Sequence, residues 1–154
     1  MYKLRGYRVM PMKEVDIIKI AIRFSVVLSF NKKNVDNLAA LFEQFSEYHI
    51  IIDPVADEEW QKLTHNLTLG HFDPSCRTIR IPERIYNGAC SGNQDDLFVM
   101  FHELGHLFLG HRPVLHNAKD AVTYQEDAEW QADFFAKNLL RLMGYEMKSN
   151  YSEM

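Results

Sequence analysis

Apolar residues with helical spacing dominate the first third of the chain. One stripe predicts a helix from about residue 13 to residue 28. Its members are Val15, Ile18, Ala21, Ile22 and Val26. A second stripe predicts a shorter helix, which Asn34 or Asp36 can cap because such side chains accept hydrogen bonds from free N–H groups. The members of this second stripe are Leu38, Leu41, Phe42 and Phe45.

The middle of the chain is typical of short strands. Residues 49–53 form a buried run that Pro54 is expected to end, and residues 67–72 form a second candidate. A third candidate is 77–82, where isoleucines alternate with other residues. The intervening Asp73-Pro74-Ser75 suits a hairpin turn between the second and third strands.

Two longer helices are predicted in the last part of the chain. The first begins at a cap within Ser91-Gly92-Asn93 and ends near Leu109. A polar loop over about 112–121 leads to the second helix, over about 122–142.

The order of these elements predicts the fold class. N-terminal helices, a small sheet and two further helices indicate a single compact α+β domain over residues 1–154. Residues 1–11 and 145–154 are expected to be flexible ends.

The first of the two long helices contains three polar side chains in the otherwise apolar run FVMFHELGHLFLGH. Between Leu97 and Leu109, these polar residues are His102, Glu103 and His106. A helix that is apolar on nearly every side is normally buried, and an uncompensated buried carboxylate costs many kcal/mol. The three side chains therefore need a compensating partner.

The spacing of the three residues indicates a divalent metal ion as that partner. His102 and His106, four residues apart, differ by about 40° in azimuth on a helix and can reach one ion. Glu103 lies about 100° round the helix from His102, so it flanks the ion and can contact a water bound to it. This is the H-E-x-x-H pattern, in which two histidines bind zinc and the glutamate is the general base. Gly105, unfavourable in a helix, is interpreted as allowing another backbone to approach closely.

A site with two histidines needs a third ligand. The extended pattern H-E-x-x-H-x-x-G-x-x-H is excluded, because Leu109 and Arg112 stand where it requires glycine and histidine. The last helix offers Glu129 as the third ligand instead. Asp133 lies one turn further along the same face and could accept a hydrogen bond from a ligating imidazole.

The alternative is that residues 126–133 are only the acidic, solvated start of a helix. Glu126 and Asp127 suit that interpretation better than Glu129 does, because Ala128 and Ala132 flank Glu129 and permit close helix packing.

Composition and charge argue against other classes of function. The 154 residues have 47% hydrophobic content and a formal net charge of −4, without a basic stripe that would favour nucleic acid. Cys76 and Cys90 lie in unrelated contexts and are interpreted as reduced thiols. The N-terminus lacks the apolar core of a secretory signal, and residues 17–30 are too short to span a bilayer. We therefore expect a cytoplasmic protein.

Two segments resemble the ImmA/IrrE family of bacterial and phage-associated zinc metallopeptidases. FHELGHLFLGH (101–111) resembles the HELGH helix of that family, and EWQADFFAKNLL (129–140) resembles its second-helix signature. The similarity extends more weakly upstream, to the strand-like run TIRIPERIYNGA (78–89) and to residues 8–21. The sequence departs from the family pattern in Arg141-Leu142-Met143, where relatives commonly have Met-Pro. Many relatives also carry a C-terminal extension, whereas this sequence stops at Met154.

The resemblance implies a zincin-like α+β fold in which His102, His106 and Glu129 bind Zn²⁺ and Glu103 is the catalytic base. It also implies a protein or peptide substrate, such as a helix-turn-helix repressor that a site-specific cut inactivates. We therefore predict a zinc-dependent endopeptidase. One alternative is a non-proteolytic, metal-binding regulator of a transcription-factor partner. A second is a purely structural role, in which the histidines are satisfied in the core without a metal.

The predicted reaction needs a second group, besides the metal, that stabilises the oxyanion. Tyr124, His111 and His116 are available, and the sequence does not rank them. A substrate could lie extended along an exposed strand edge at 77–82 by strand addition. Direct contact with nucleic acid or a membrane is not expected.

Overall fold

A computed structural model describes residues 1–115 and 121–147 of the chain. The helices and strands of these residues are, in order, α1 (Glu14–Val27), α2 (Leu38–Glu43), β1 (Ile51–Val55), α3 (Asp57–Thr64), β2 (His71–Asp73), β3 (Thr78–Pro82), α4 (Glu83–Cys90), α5 (Gln94–Phe108) and α6 (Ala128–Leu142). Short 3₁₀ turns cover Lys32–Asn34, Gln44–Tyr48 and Tyr124–Glu126. Five of the helices and β3 contribute apolar side chains to one shared core, which confirms the predicted α+β class.

The sheet has the strand order β1-β3-β2, so β3 lies at its centre. β1 pairs with β3 in parallel, and β2 pairs with β3 antiparallel, as the predicted hairpin requires. The prediction that residues 77–82 offer an exposed edge is wrong, because β3 is paired on both sides. Pro54 does not end the first strand either. It lies opposite Ile81 in β1, an edge strand, where a residue without an N–H group is tolerated.

Two short helices, α3 and α4, were not predicted. α3 has three acidic residues in its first turn, where the helix dipole favours negative charge, and it buries Trp60. α4 follows β3 without a loop and buries Ile85 and Ala89, one turn apart. The strand-like interpretation of residues 78–89 is therefore wrong beyond Pro82.

α1 forms where the sequence predicts it, but a different face points inward. Its buried residues are Ile17, Ala21 and Ser25. Within the predicted stripe, Val15, Ile22 and Val26 are exposed. The helix has apolar residues on two faces, so periodicity alone cannot select one, and packing against α6 decides between them.

α6 packs along α5 and also contacts α1. Where α5 and α6 cross, a Cβ atom built on Gly105 would lie 3.2 Å from the Cα atom of Ala132 and 3.2 Å from the ring of Phe135. The interpretation of Gly105 as a point of close backbone approach is borne out. This approach brings the polar face of α5 against the first turns of α6.

The N-terminal segment (residues 1–13) is joined to the start of α6. Asp127, the N-cap of that helix, is fully buried and accepts a hydrogen bond of 2.6 Å from the Tyr2 hydroxyl. It also accepts hydrogen bonds from the N–H groups of Arg5 (2.8 Å) and Gly6 (3.2 Å). The interpretation of Asp127 as a solvated residue is wrong, because the N-terminal segment covers it.

Two further observations concern membrane-spanning helices and the cysteines. Across residues 1–115 and 121–147, no helix has both the length and the apolar character needed to cross a membrane. Cys76 and Cys90 are both free cysteines.

We predict that Gly105→Ala destabilises the protein. The added methyl group meets backbone atoms of α6, and overpacking of this kind costs about 1–3 kcal/mol. Alanine recovers up to about 1 kcal/mol of helix propensity, so a net loss of about 1 kcal/mol is expected. Thermal unfolding measures the change as a melting temperature about 2–4 °C lower. A melting temperature above that of the wild type would contradict the close approach.

Candidate metal centre

Two histidines of α5 and one glutamate of α6 converge on one point. His102 Nε2 lies 2.8 Å from one carboxylate oxygen of Glu129 and 3.2 Å from His106 Nε2. His106 Nε2 lies 3.5 Å from the other carboxylate oxygen of Glu129. The three candidate ligand atoms all lie within 4.8 Å of one another. The spacing of four residues in α5 aligns the imidazoles, and the Asp127 cap fixes the turn of α6 that carries Glu129, whose N–H group donates to Asp127 at 3.0 Å.

This set of donor atoms fits a divalent cation. Two imidazole nitrogens and a carboxylate oxygen are ligands that cations such as zinc accept, and three protein ligands leave one coordination position open. Among the residues that the structure describes, no other group of three His, Cys, Asp or Glu side chains has this geometry.

The charges of these side chains are coupled. Burial disfavours the charged form of His102, but hydrogen bonds with Asp133 and Glu129 outweigh burial and raise its pKa to about 10. Burial also opposes ionisation of Glu129, but hydrogen bonds with His102 and His106 outweigh it and hold the pKa of Glu129 well below its usual range. A proton on the imidazole thus balances the carboxylates in the absence of a cation. A cation that binds here takes over that role and releases the proton.

A carboxylate orients the first histidine. His102 Nδ1 donates a hydrogen bond of 2.7 Å to Asp133 Oδ1, while Asp133 Oδ2 forms an ion pair of 2.7 Å with the guanidinium of Arg5. This contact places the Nδ1 proton of His102 on the side away from Glu129 and directs Nε2 toward the metal position. Asp133 therefore occupies the place that the sequence predicts for it, with Arg5 of the N-terminal segment as an additional partner.

A chain of hydrogen bonds sets the tautomer of the second histidine. Gln131 Nε2 donates to the carbonyl groups of Met10 (2.9 Å) and Gln125 (2.7 Å), so Gln131 Oε1 faces His111 Nε2, at 2.7 Å. Because that oxygen only accepts, His111 carries its proton on Nε2 and leaves Nδ1 free to accept. His106 Nδ1, 2.8 Å away, therefore donates to His111. His106 Nε2 is then free to bind a metal ion.

Burial maintains this arrangement of protons. It lowers the pKa of His111 to about 4, with a further contribution from the neighbouring His106. A neutral His111 is the form that can accept from His106 and donate to Gln131 at the same time.

Glu103 lies beside the cluster without belonging to the ligand set. Its side chain is buried, and burial raises its pKa. The loop before β2 packs closely against it, since a Cβ atom on Gly70 would lie 3.1 Å from Glu103 Cγ and 3.2 Å from one carboxylate oxygen. A raised pKa and a position beside the metal ligands suit a group that takes up and returns a proton.

Two clefts give access to the cluster. The first has a volume of about 310 Å³ and lies between the N-terminal segment, β2 and the start of α6. The second, also of about 310 Å³, shares Gly70, Glu103 and Glu129 with the first. Its apolar lining residues are Leu67, Leu69, Phe98 and Val99. The candidate metal position is thus reached from an open, partly apolar groove.

A sequence model of peptidase family M78, described as the IrrE N-terminal-like domain, matches residues 63–147, more than half of the chain. The chain belongs to this family. The resemblance to ImmA/IrrE proteins is thereby confirmed, and membership supports a metallopeptidase-type function. Comparisons with curated proteins and with solved structures gave no match.

The matched range of the IrrE N-terminal-like family covers α5 and α6, with all three candidate ligands and Glu103. The N-terminal segment lies outside that range, although Arg5 and Met10 complete the hydrogen-bond chains that orient the two histidines. Both the family-matched part and the preceding segment therefore build the site.

The structure separates the three candidates for oxyanion stabilisation. His111 lines the first cleft, but both of its ring nitrogens have hydrogen-bond partners. The hydroxyl of Tyr124 donates to Glu14 (3.1 Å), and Tyr124 is not among the residues that line either cleft. His116 lies outside the described residues.

Several residues of the site were not anticipated from the sequence. These are Arg5, Tyr7, Gly70, His71 and Gln131. Gln131 carried a usable signal, because it is a polar residue between Glu129 and Asp133 on the helix that supplies the third ligand. The others reach the site through contacts that no local pattern encodes.

We predict that Gln131→Leu weakens metal binding. Loss of the amide leaves the His111–His106 pair without a fixed tautomer, and loss of such an outer partner typically costs about 10–100-fold in affinity. Competition with a chromophoric chelator for Zn²⁺ measures the change. Asn138→Leu is the matched control, because Asn138 is a buried amide of the same helix that donates to the Phe134 carbonyl, at 2.8 Å. Equal affinities in the two variants would contradict the tautomer chain.

Proposed function

We propose that the chain is a zinc-dependent endopeptidase that makes a site-specific cut in a protein partner. The observation that carries the proposal is Glu103, a buried carboxylate that lies beside three converging ligands without being one of them. A site that only binds metal has no use for such a group, whereas hydrolysis needs a general base next to the attacking water.

Zinc fits the ligand set of His102, His106 and Glu129. When bound, it would polarise the substrate carbonyl and lower the pKa of a coordinated water toward about 7. Neighbouring side chains orient the two histidines that would hold it. Asp133 and His111 fix the proton on Nδ1 of His102 and His106, so that both Nε2 atoms point to one position.

Glu103 moves the proton in the proposed reaction. Its carboxylate accepts a proton from the attacking water and then delivers it to the nitrogen of the leaving amine. The raised pKa of Glu103, which results from burial, brings its proton affinity nearer to that of the water. Close packing of Gly70 against the side chain holds the carboxylate at the cleft.

The substrate is proposed to lie extended along β2. This strand is paired with β3 on one side, and its other side has no strand partner in the described part of the chain. His71 and Phe72 of β2 line the first cleft, and Gly70 lines both clefts. The substrate would therefore pair with the free edge of β2, and not with residues 77–82 as the sequence predicts. The apolar lining of the second cleft suits an apolar side chain next to the cut bond.

The proposed partner is a helix-turn-helix repressor, which such a cut would inactivate. This part of the proposal rests on the resemblance to ImmA/IrrE proteins, many of which act on such repressors. It implies a cytoplasmic location, where the repressor acts. The test is incubation with a purified candidate repressor, followed by intact mass measurement of the products.

We predict that Glu103→Gln abolishes cleavage and keeps metal. The amide has the shape of the carboxylate but cannot accept the proton, so kcat on a quenched-fluorescence peptide library falls about 10²–10⁴-fold. Zinc content should stay near one ion per chain by elemental analysis, because Glu103 is not a ligand. Glu129→Gln is the contrasting variant, and it should lose both zinc and cleavage.

The same pair of variants tests the alternative of a non-proteolytic regulator. If Glu103→Gln retains full function in cells while binding zinc, the metal site regulates a partner without hydrolysis. A purified wild-type chain with far less than one zinc per molecule would exclude both functions.

A further inference from the structure

The proposed hydrolysis generates an oxyanion, for which a hydrogen-bond donor in the cleft is expected. Removing one such donor from an enzyme costs about 10²–10³ in kcat. Besides the metal ligands and the base, the first cleft is lined by four residues with side-chain donors. These are Tyr7, Thr68, His71 and His111.

Two of the four are already engaged. The Thr68 hydroxyl donates to the carbonyl group of Gly70, at 2.7 Å. His111 uses Nδ1 for His106 and Nε2 for Gln131. The side chains of Tyr7 and His71 therefore remain available to donate a hydrogen bond to a substrate.

Tyr7 and His71 belong to different walls of the cleft. His71 follows Gly70, whose backbone packs against the base Glu103, so this wall lies next to the group that activates water. Tyr7 belongs to the wall formed by the N-terminal segment, with its ring edge-on to His111 at a centroid distance of 6.5 Å.

The backbone around Tyr7 is fixed. Its carbonyl group accepts a hydrogen bond of 3.2 Å from the N–H group of Ala128, in the first turn of α6. The preceding N–H group, of Gly6, donates to the buried Asp127, and a Cβ atom on Gly6 would lie 2.7 Å from Glu129 Cγ. The segment that carries Tyr7 therefore lies directly against the third metal ligand.

The hydroxyl of Tyr7 is available as a donor. Within residues 1–115 and 121–147 it has no hydrogen-bond partner, and the side chain is partly open to solvent in the cleft. The phenol, whose ordinary pKa is about 10, keeps its proton at neutral pH. A protonated, unengaged hydroxyl facing the reaction cleft can bind a developing negative charge.

We propose that Tyr7 is a catalytic residue that donates a hydrogen bond from its hydroxyl to the oxyanion of the tetrahedral intermediate. The assignment rests on the proposed peptidase function. It gives a role in the reaction to a residue outside the part of the chain that matches the family.

Tyr7→Phe tests the proposal, with Tyr124→Phe as the matched control. Tyr124→Phe also removes one hydroxyl, but that hydroxyl donates to Glu14 and does not line either cleft. Two probes are titrated separately into the Co²⁺-substituted protein. The visible absorption of the bound Co²⁺ reports the binding of each probe. A leucine-containing phosphonamidate dipeptide presents a tetrahedral anionic oxygen, whereas benzyl mercaptan binds through sulfur alone.

Tyr7→Phe should weaken phosphonamidate binding about 10–100-fold, the effect of losing a hydrogen bond to a charged group. Mercaptan binding should stay unchanged, and Tyr124→Phe should match the wild type with both probes. On the peptide library, Tyr7→Phe should lower kcat about 10²–10³-fold with little change in KM.

Four results would overturn the assignment. Tyr7→Phe could bind the phosphonamidate as tightly as the wild type, or it could lose both probes, which would show a role in holding the metal site. His71→Gln could lose phosphonamidate affinity in place of Tyr7→Phe. The wild type could bind the mercaptan but not the phosphonamidate, and would then have no oxyanion donor.

Failure of the peptidase function would be seen separately, as a wild type that binds the phosphonamidate and cuts no peptide. The binding comparison still decides the role of Tyr7 in that case.

Discussion

The pairing of two buried imidazoles with carboxylates from a neighbouring helix is the interaction on which the rest of the structure depends. α5 is apolar along most of its length, so His102 and His106 would be costly there without partners. α6 supplies Glu129 between them and Asp133 behind His102. The close crossing at Gly105 brings the two helices near enough for these contacts. Packing and electrostatics thus specify the same arrangement, and a cation placed between the ligands would reinforce it.

The N-terminal segment is as much a part of this arrangement as the two helices. Both chains of hydrogen bonds behind the imidazoles end on it, one at the Arg5 guanidinium and the other at the Met10 carbonyl. Asp127 anchors the segment and caps α6 at the same time. A residue that looks like one more surface acid at a helix start therefore joins the candidate metal ligands to a segment far away in sequence.

The parts of the site that the sequence predicts are those that depend on local geometry. His102, Glu103 and His106 follow from the period of one helix, and Glu129 with Asp133 follows from the face of another. The pairing of His111 with Gln131, the contact of Arg5 with Asp133 and the position of Tyr7 depend on contacts between distant parts of the chain. No periodicity encodes such contacts.

The same difference between local patterns and long-range contacts explains which helices and strands the sequence predicts correctly. The predicted bounds of α5 and the predicted end of α6 agree with the structure. The start of α6 does not, because Asp127 caps this helix and it begins at Ala128, about six residues after the predicted start. α4 has only eight residues and continues directly from β3, so the run was interpreted as a strand. The central position of β3 and the inward face of α1 depend on which elements pack together, and the local pattern of apolar residues does not contain that information.

The contacts that Asp127 and Asp133 make with Tyr2 and Arg5 also determine when the site can form. They join residues separated by 125 and 128 positions along the chain. During translation, the segment that carries Arg5 leaves the ribosome early, and its partners in α6 follow only after well over a hundred more residues. A growing chain therefore cannot assemble the candidate metal centre until synthesis has passed the last helix.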